Sequence, residues 1–309
     1  MADTCGGCDW NLIELGWMFQ DEEKTLDFLC GHKLIRRTYK CPKCDSDLDI
    51  KKNFVFRCDR QRRVQNNKKS VVQRCRFFRS AKKNSWFSRS NLSVSQIIYV
   101  TYLWNQRQKT VKFCAREVRV DAKTVIDWFS FCREVAVDYC VHNSAKLGGQ
   151  GKTVEVDEAK FDKRNYKGGR VIEGTWVVGG VERGSSKAFL VPVVSRDEET
   201  LLRVIQDNIL PGTHIVTDCR SSYNNLSAKG YTHSTVKHSL NFVDRQSGVH
   251  TQNVQQEWRE GRGNIPRCGR RTHRIASYLA ESMFKRTFPD VAERFHHFLL
   301  HAATIYSVQ

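Results

Sequence analysis

The chain lacks any run of about 20 apolar residues, the length that a membrane-spanning helix needs. Its start, Met-Ala-Asp-Thr-Cys-Gly-Gly-Cys, has neither a basic region followed by an apolar core nor a cleavage site, so we expect no secretory signal. The twelve cysteines are therefore expected to stay reduced, which favours metal binding over a disulfide framework. Internal repeats and low-complexity tracts are also missing, and 309 residues suffice for two domains.

Acidic residues are too few to balance the basic ones. The 33 Asp and Glu residues face 51 Lys and Arg, which gives a formal net charge of +18 and a pI near 9.5. This excess predicts a polyanionic partner, and nucleic acid is the first candidate because each neutralised phosphate releases counterions. A generally basic surface is the alternative. Between Arg36 and Arg89, eighteen Lys and Arg stand against four Asp and Glu, so we expect the front half to bind nucleic acid.

Four cysteines in this basic stretch have the spacing of a structural zinc site. Cys41 and Cys44 form a Cx₂C knuckle, Cys58 ends a short alternating segment, and Cys75 follows a run of basic residues. A knuckle and two thiolates from a later hairpin provide the four ligands of tetrahedral zinc. The last two cysteines are farther apart than in the paired CxxC motifs of a zinc ribbon. The alternative is that Cys58 or Cys75 is simply a buried apolar side chain.

The two ends of the chain carry residues for which an ordinary structural role is the favoured interpretation. The first 35 residues have apolar positions spaced as in one or two short helices. Cys5 and Cys8 form a CxxC there with no second half nearby, so an ordinary pair of thiols is the favoured interpretation. His296 and His297 lie in an amphipathic C-terminal segment, and we expect them at the surface.

From Ser93 to about His142 the apolar periodicity becomes helical. Ser93 can cap a first helix, a second covers 110–118, and Asp121 can cap a third. This order is typical of a helix-turn-helix, whose second helix presents its N-terminal turn to the major groove, although many three-helix bundles look the same. The predicted DNA-contacting residues come from the basic run near the cysteines and from the first turn of the third helix: Arg60, Arg62, Arg63, Lys68, Lys69, Lys123 and Thr124.

Two aspartates each end a short apolar run in the second half of the chain. Asp157 closes the run from Thr153, and Asp218 closes the run from His214. A carboxylate at the end of a buried strand costs free energy unless a cation or hydrogen bonds compensate it. Two such carboxylates, joined by a residue from a later helix, make a common protein site for Mg²⁺. The alternative is two unrelated aspartates that face solvent.

The order of the predicted elements gives these aspartates a reason to be neighbours. Strand-like segments at 153–157, 171–181 and 187–194 are followed by a helix at about 197–208 and a strand at 214–217. This is the order of an RNase H-like nuclease core, in which the first and fourth strands lie side by side. We therefore predict that the ends of these two strands bring Asp157 and Asp218 together.

The predicted fold class is mixed α/β (α+β), with an RNase H-like mixed-sheet core preceded by a zinc-ribbon-like module and a helix-turn-helix-like segment. A polar, glycine-rich linker separates the front half from the core. The predicted segments are a helical N-terminal segment (1–35), a basic zinc-binding module (36–90), a helix-turn-helix-like segment (91–142), the linker (143–152), the core (153–290) and a C-terminal helix (291–309).

Several motifs, in order, resemble those of a Merlin-type DDE transposase, an animal relative of a bacterial insertion-sequence transposase family. Two of them are Val154-Glu-Val-Asp-Glu-Ala-Lys-Phe161 and Pro211-Gly-Thr-His-Ile-Val-Thr-Asp-Cys219, and the others lie at 174–183, 236–244, 249–254, 264–267 and 278–286. The resemblance covers about 36–290. It implies a cut-and-paste enzyme that binds the terminal repeats of its element in double-stranded DNA, and a homodimer that pairs two ends. A eukaryotic host would place it in the nucleus.

The resemblance also implies the site. Asp157 and Asp218 would be the first two ligands of two Mg²⁺ (or Mn²⁺) ions, and His250 would lead into the helix that carries the third. The third acid of the family falls at Gln255, whose neutral amide oxygen is a poorer Mg²⁺ ligand than a carboxylate. Glu257 lies two residues further on, about 200° around the helix axis, and is expected to face away from the site.

Three functions remain open on the sequence. The first is a Mg²⁺-dependent transposase whose cleavage is impaired by Gln255. The second is a catalytically inactive, transposase-derived DNA-binding protein that contains zinc. The third is a housekeeping RNase H-like nuclease, which explains the carboxylates but not the cysteine knuckle or the helical reader. The substitution Gln255→Glu separates the first two, because only an otherwise intact enzyme gains cleavage from it.

Overall fold

The computed structural model has a mixed α/β fold that divides into two compact units. One contains Met1–Val135 and Asp290–Gln309, and the other contains Ala136–Pro289. The structure describes residues 8–51, 53–66, 69–106, 110–161, 164–165, 171–172, 174–218, 221–236, 251–265 and 274–306. None of the helices within these ranges is long and apolar enough to cross a membrane.

The first unit begins with two short helices, α1 (Leu12–Met18) and α2 (Glu22–Gly31). Each starts at a side chain that accepts backbone N–H groups of the first turn, Asn11 for α1 and Asp21 for α2. These caps satisfy donors that have no partner within the helix. The prediction of one or two short helices here is confirmed.

Three antiparallel strand pairs follow. The strands are β1 (Thr38–Lys40), β2 (Asp47–Asp49), β3 (Val55–Cys58), β4 (Gln61–Asn66), β5 (Lys69–Arg74) and β6 (Phe77–Ser80). β1 pairs with β2, β3 with β6, and β4 with β5. The β4–β5 hairpin is therefore inserted between the two strands of the β3–β6 pair. Phe56 and the cysteines form the small core of this module, against which Tyr39 and Phe77 stack.

Three helices come next: α3 (Val94–Asn105), α4 (Val111–Val118) and α5 (Ala122–Asn143). Ser93 and Gln96 form a reciprocal capping box at the start of α3, as expected for a Ser cap with Gln three residues later. The turn after α4 places Arg119 in the left-handed region, with a φ of 55°. The predicted succession of three helices is confirmed.

The second unit is built around a five-stranded mixed sheet. Its elements in chain order are β7 (Leu147–Gly148), β8 (Thr153–Phe161), β9 (Arg164–Asn165), β10 (Val171–Ile172), β11 (Thr175–Glu182), β12 (Ala188–Val193), α6 (Glu198–Asn208), β13 (Ile209–Leu210), β14 (His214–Asp218), a 3-10 helix (Ser221–Lys229) and β15 (Thr232–Val236). The sheet has the order β12-β11-β8-β14-β15. β11 pairs antiparallel with both β8 and β12, whereas β14 runs parallel to β8 and to β15.

The strand order agrees with the prediction that the first and fourth long strands are adjacent, since β8 and β14 pair directly. Alternate residues of β8 face opposite sides of the sheet. Val154 and Val156 pack with α6, while Ala159 and Phe161 pack on the other side with Trp258. Both faces of the sheet are therefore covered, as a sheet with parallel strands requires.

The remaining helices are α7 (Gln252–Asn264), α8 (Ile275–Thr287) and α9 (Val291–Ile305). The first two belong to the sheet unit, where Val254 of α7 and Leu279 of α8 are buried in the same cluster. The third helix belongs to the first unit, where Arg294 donates to the carbonyl oxygen of Asn105 at the end of α3. The predicted C-terminal helix is thus present and packs against the helical part of the front half.

Candidate active site and cysteine cluster

The two predicted aspartates lie at the same level on neighbouring parallel strands. The pairing of β8 with β14 joins Thr153 to His214 and Glu155 to Val216. The pairing ends there, and by the same offset of 61 residues Asp157 and Asp218 are corresponding positions two residues further along the two strands. Both aspartates are half-buried. Because side chains alternate along a strand, Asp157 shares the face of Glu155 and Asp218 shares the face of Val216, so the two carboxylates are on the same side of the sheet.

Asp157 is held by two hydrogen bonds. Its Oδ1 accepts the backbone N–H of Glu158 at 2.8 Å, and its Oδ2 accepts the indole N–H of Trp258 at 3.1 Å. Opposite Asp157 on β11 is Gly179, where an added Cβ would stand 2.4 Å from Cη2 of Trp258. The absence of a side chain at this position therefore lets the indole reach across β11 to the carboxylate.

A buried glutamate, Glu155, binds the start of α7 to the face of β8 that carries Asp157. Glu155 is fully buried and accepts the backbone N–H groups of Asn253 at 2.9 Å and Val254 at 3.3 Å, and the side-chain amide of Asn253 at 2.8 Å. Thr251, the residue before α7, makes no side-chain cap of its own. A carboxylate here replaces the missing cap and complements the positive end of the helix dipole. Arg183 donates to Glu155 at 2.8 Å and balances its charge.

This docking places the helix that carries the third predicted position against β8. Gln255 is half-buried and lies three residues before Trp258 on α7, so the two side chains are on neighbouring parts of the helix surface. The helix that carries Gln255 is therefore the one that contacts Asp157. His250 lies outside the described residues. For Glu257 the structure describes the backbone in α7 but not the side chain.

The opposite face of β8 carries a second acidic group that the sequence analysis did not single out. Glu158 accepts the hydroxyl of Tyr223 and lies 3.6 Å from the guanidinium of Arg196. Burial, followed by the nearby carboxylates of Glu158, Asp218 and Asp157, raises the pKa of Tyr223 well above its ordinary value. The Tyr223 hydroxyl thus stays protonated beside this concentration of negative charge.

The neighbouring strand β15 supports Asp218 indirectly. Thr217 donates its hydroxyl to the backbone carbonyl of Asp218 at 2.8 Å, and its oxygen lies 2.8 Å from Nε2 of His233. Since the Thr217 proton is committed to the carbonyl, the imidazole Nε2–H is the donor to Thr217. Burial and the charge of His214 lower the pKa of His233, which favours its neutral form.

The four predicted zinc ligands come together in the first unit. The sulfurs of Cys41, Cys44, Cys58 and Cys75 all lie within 4.8 Å of one another, with Cys41 to Cys75 and Cys44 to Cys58 each at 3.4 Å. Tetrahedral zinc with Zn–S bonds of about 2.3 Å separates its sulfurs by about 3.8 Å, so the cluster fits zinc. The hydroxyl of Ser46 lies 3.1 Å from the Cys44 sulfur and lowers the pKa of that thiol to about 6, whereas burial and the neighbouring thiols raise the pKa of Cys75 to about 12.

The wide spacing between Cys58 and Cys75 has a simple structural explanation. The intervening residues form the β4–β5 hairpin, and the backbone N–H of Cys75 donates to the carbonyl of Arg60 at 2.9 Å at its base. The chain thus leaves the cluster at Cys58 and returns to it at Cys75. The alternative that Cys58 or Cys75 is only a buried apolar side chain is therefore not needed to explain their separation in the sequence.

The predicted DNA-contacting residues have different surroundings. Arg62 donates to the carbonyl oxygen of Cys44 and Arg60 to the hydroxyl of Ser46, each at 2.8 Å, so both brace the knuckle. Arg63 is exposed on β4. Lys69 lies on β5, where its side chain is not described, and Lys68 lies outside the described residues.

The predicted helical contacts lie on α5. Lys123 is exposed and Thr124 is half-buried, both in its first turn. Their helix begins after the left-handed residue Arg119, as the second helix of a helix-turn-helix would. Their position leaves the N-terminal turn of α5 accessible.

The sheet unit resembles a known protein family. The family model of the ISXO2-like transposase domain matches residues 146–287, the part of the chain that contains the five-stranded sheet and both aspartates. This match supports a DDE transposase family for that part of the chain. No curated protein matches the chain.

Proposed function

We propose that the protein is a Merlin-type DDE transposase with an RNase H-like core. Residues 36–142 bind the terminal repeats of a DNA transposon, and residues 153–290 cleave the DNA and transfer the strand. The main support is the placement of Asp157 level with Asp218 on adjacent parallel strands, with α7 docked beside them. The strand order and the family-model match point the same way.

The donor set suits a hard divalent cation. Asp157 and Asp218 would hold Mg²⁺ or Mn²⁺, with Gln255 as the third protein ligand, because these ions prefer carboxylate and carbonyl oxygens. When bound, the metal pair would supply an activated oxygen nucleophile and stabilise the leaving oxygen of a phosphodiester. Trp258 fixes the rotamer of the Asp157 carboxylate through Oδ2, and Glu155 fixes the distance of α7 from β8. Both contacts orient the ligands before DNA arrives.

A second candidate is favoured by one residue. An amide at position 255 contributes no negative charge, so the site holds two carboxylates from these three positions instead of three. A transposase-derived protein that binds DNA through its zinc module and helices without cutting it is consistent with this substitution. The two candidates share fold, zinc and DNA partner, and they differ only in cleavage.

Two further features belong to the proposal. Transposition joins two ends of one element, so we expect a homodimer. In a eukaryotic host we expect a nuclear protein, for which the basic run at 60–83 offers both a DNA contact and an import signal.

The deciding experiment is Mg²⁺- or Mn²⁺-dependent nicking of a duplex that carries candidate terminal repeats. Wild type is compared with Asp157→Ala and Gln255→Glu. Asp207→Ala, at an exposed position on α6, controls for the loss of a carboxylate other than those of Asp157 and Asp218. Gln256→Glu, at the exposed neighbouring position, adds the same charge without occupying position 255.

Nicking by wild type that only Asp157→Ala abolishes establishes an active transposase. Binding without nicking, with nicking gained in Gln255→Glu but not in Gln256→Glu, establishes an impaired transposase in which the third ligand is the defect. Binding without nicking in every variant supports the DNA-binding protein. Absence of both binding and nicking contradicts the proposal as a whole.

A further inference from the structure

Three metal-binding side chains from distant parts of the chain meet inside the first unit. They are Cys8 before α1, His32 directly after α2, and His296 on α9. Cys8 and His32 are buried, and His296 is half-buried. The Cys8 sulfur lies 3.1 Å from Nε2 of His32 and 3.6 Å from Nδ1 of His296, and the two nitrogens lie 3.1 Å apart.

These three distances match the edges of a zinc coordination tetrahedron. Zn–S bonds of about 2.3 Å and Zn–N bonds of about 2.0 Å separate sulfur from nitrogen by about 3.5 Å and nitrogen from nitrogen by about 3.3 Å. The triangle formed by the Cys8 sulfur and the two nitrogens has sides close to these values. A single ion can therefore contact all three atoms without a large movement.

The orientation of His32 provides an independent observation. Its Nδ1 lies 2.8 Å from the carbonyl oxygen of Phe28, and a carbonyl can only accept, so Nδ1 carries the proton. The Nε2 lone pair consequently points at the Cys8 sulfur and the His296 nitrogen. A ring nitrogen that donates to a backbone carbonyl while the other faces the ion is the usual arrangement around zinc-bound histidine.

The short contacts around Nε2 of His32 are arranged as ligand atoms around an ion would be. The single Nε2 lone pair of His32 faces both the Cys8 sulfur and the His296 Nδ1, at 3.1 Å each, and it can accept one of them in line. A cation at the centre of the triangle uses one lone pair from each of the three groups. One thiolate with two imidazoles is a donor set that suits zinc.

We propose that Cys8, His32 and His296 bind a second zinc ion, separate from the four-cysteine cluster and independent of the proposed transposase activity. The ion links the start of the chain, the end of α2 and the C-terminal helix α9. Cys8, which the sequence analysis assigned to an ordinary pair of thiols, thus meets two histidines from distant parts of the chain.

The test is the zinc content of the full-length protein after removal of loosely bound metal, together with zinc X-ray absorption. We expect about two zinc ions per chain in wild type and a spectrum with both sulfur and nitrogen ligands. Cys8→Ser and His32→Ala should each lower the content to about one. Cys30→Ser is the matched control, because Cys30 lies on α2 but outside the cluster, and it should keep both ions.

A further variant isolates the new site. Cys58→Ser removes a ligand of the four-cysteine cluster, and the zinc that remains should show a spectrum richer in nitrogen than wild type. Wild-type protein with a single zinc ion and sulfur ligands alone would overturn the proposal, even if the Cys8 and His32 variants fail to fold. A folded His32→Ala variant that retains two ions would overturn it as well.

Discussion

Trp258 and Asp157 are joined by an indole N–H···Oδ2 hydrogen bond of 3.1 Å that spans 101 residues of sequence. The indole also packs edge-on against Phe161, with ring centroids 5.7 Å apart. The same side chain thus anchors α7 in the apolar cluster and orients a carboxylate at the candidate metal site. These two roles are separable by substitution.

Trp258→Phe should keep most of the packing and lose the hydrogen bond. Because hydrogen bonds to ionised groups contribute about 1.5–3 kcal/mol, we expect the free energy of unfolding to fall by about that amount. Urea denaturation measures the change. In an Asp157→Ala background the same substitution should cost clearly less, and an equal cost in both backgrounds would mean that the indole acts through packing alone.

Gly179→Ala should destabilise the sheet unit. The new methyl group would lie 2.4 Å from Cη2 of Trp258 and 2.9 Å from Cδ2 of Leu190, so the core must shift to admit it. Overpacking of this kind costs about 1–3 kcal/mol, and thermal or urea unfolding reports it. Gly263→Ala on α7 is the matched control. Among the described residues, no atom outside the backbone of α7 lies within 4 Å of its added Cβ, so a helical Gly→Ala change there should stabilise by about 0.5–1 kcal/mol. Equal effects at the two positions would contradict the close approach of Trp258.

The stability of the sheet unit should fall in mildly acidic solution because of His233. Burial and His214 lower its pKa in the folded state below the ordinary value of 6.5. The unfolded chain therefore binds more protons than the folded one between the two pKa values, and stability is complete above pH 6.5 and decreases as the pH falls below it. His233→Gln keeps a donor to Thr217 without a titrating group. Its unfolding free energy should change less than that of wild type between about pH 7.5 and about pH 5, and parallel profiles would refute the assignment.

Arg62 and Arg63 should differ in their effect on DNA binding, although they are adjacent in sequence. Arg63 is exposed, so Arg63→Ala should reduce the slope of log affinity against log salt by about one without changing zinc content. Arg62 donates to the carbonyl of Cys44, so Arg62→Ala should also lower the thermal stability of the zinc module. Salt titrations of DNA affinity and melting curves separate the two effects. A salt slope for Arg63→Ala equal to that of wild type would remove β4 from the DNA-binding surface.

Local signals in the sequence were sufficient for much of the fold. Ser93 is the N-cap of α3 and Asp197 is the N-cap of α6, at the positions where these helices were predicted to begin. Such caps can be predicted because capping depends on residues within one turn. The apolar runs that end at Asp157 and Asp218 lie in strands, but β8 continues four residues past Asp157 to Phe161, so the prediction that Asp157 ends its strand was wrong. The order of the strands along the chain was sufficient to predict that β8 and β14 are adjacent. Four thiols of suitable spacing were sufficient to predict the cysteine cluster.

Contacts between distant segments could not be read in the same way. Glu155 stands two residues before Asp157 and so shares its face of the strand, a signal that alternation could have supplied. Its role as a cap for α7, 98 residues away, depends on how that helix packs. The meeting of Cys8 with His296, separated by 288 residues, has no sequence pattern at all. Such contacts are specified by tertiary packing and not by local periodicity.

The β4–β5 hairpin leaves the cysteine cluster at Cys58 and returns to it at Cys75. Because the cluster anchors the base of the hairpin, the hairpin can change length at its tip without disturbing the four cysteines. Insertion or deletion of two residues on each strand preserves the pairing and which side chains face each side. The length and the charge of the hairpin can therefore change during evolution while the four cysteines stay fixed. Related proteins with the same four cysteines should differ most in this hairpin.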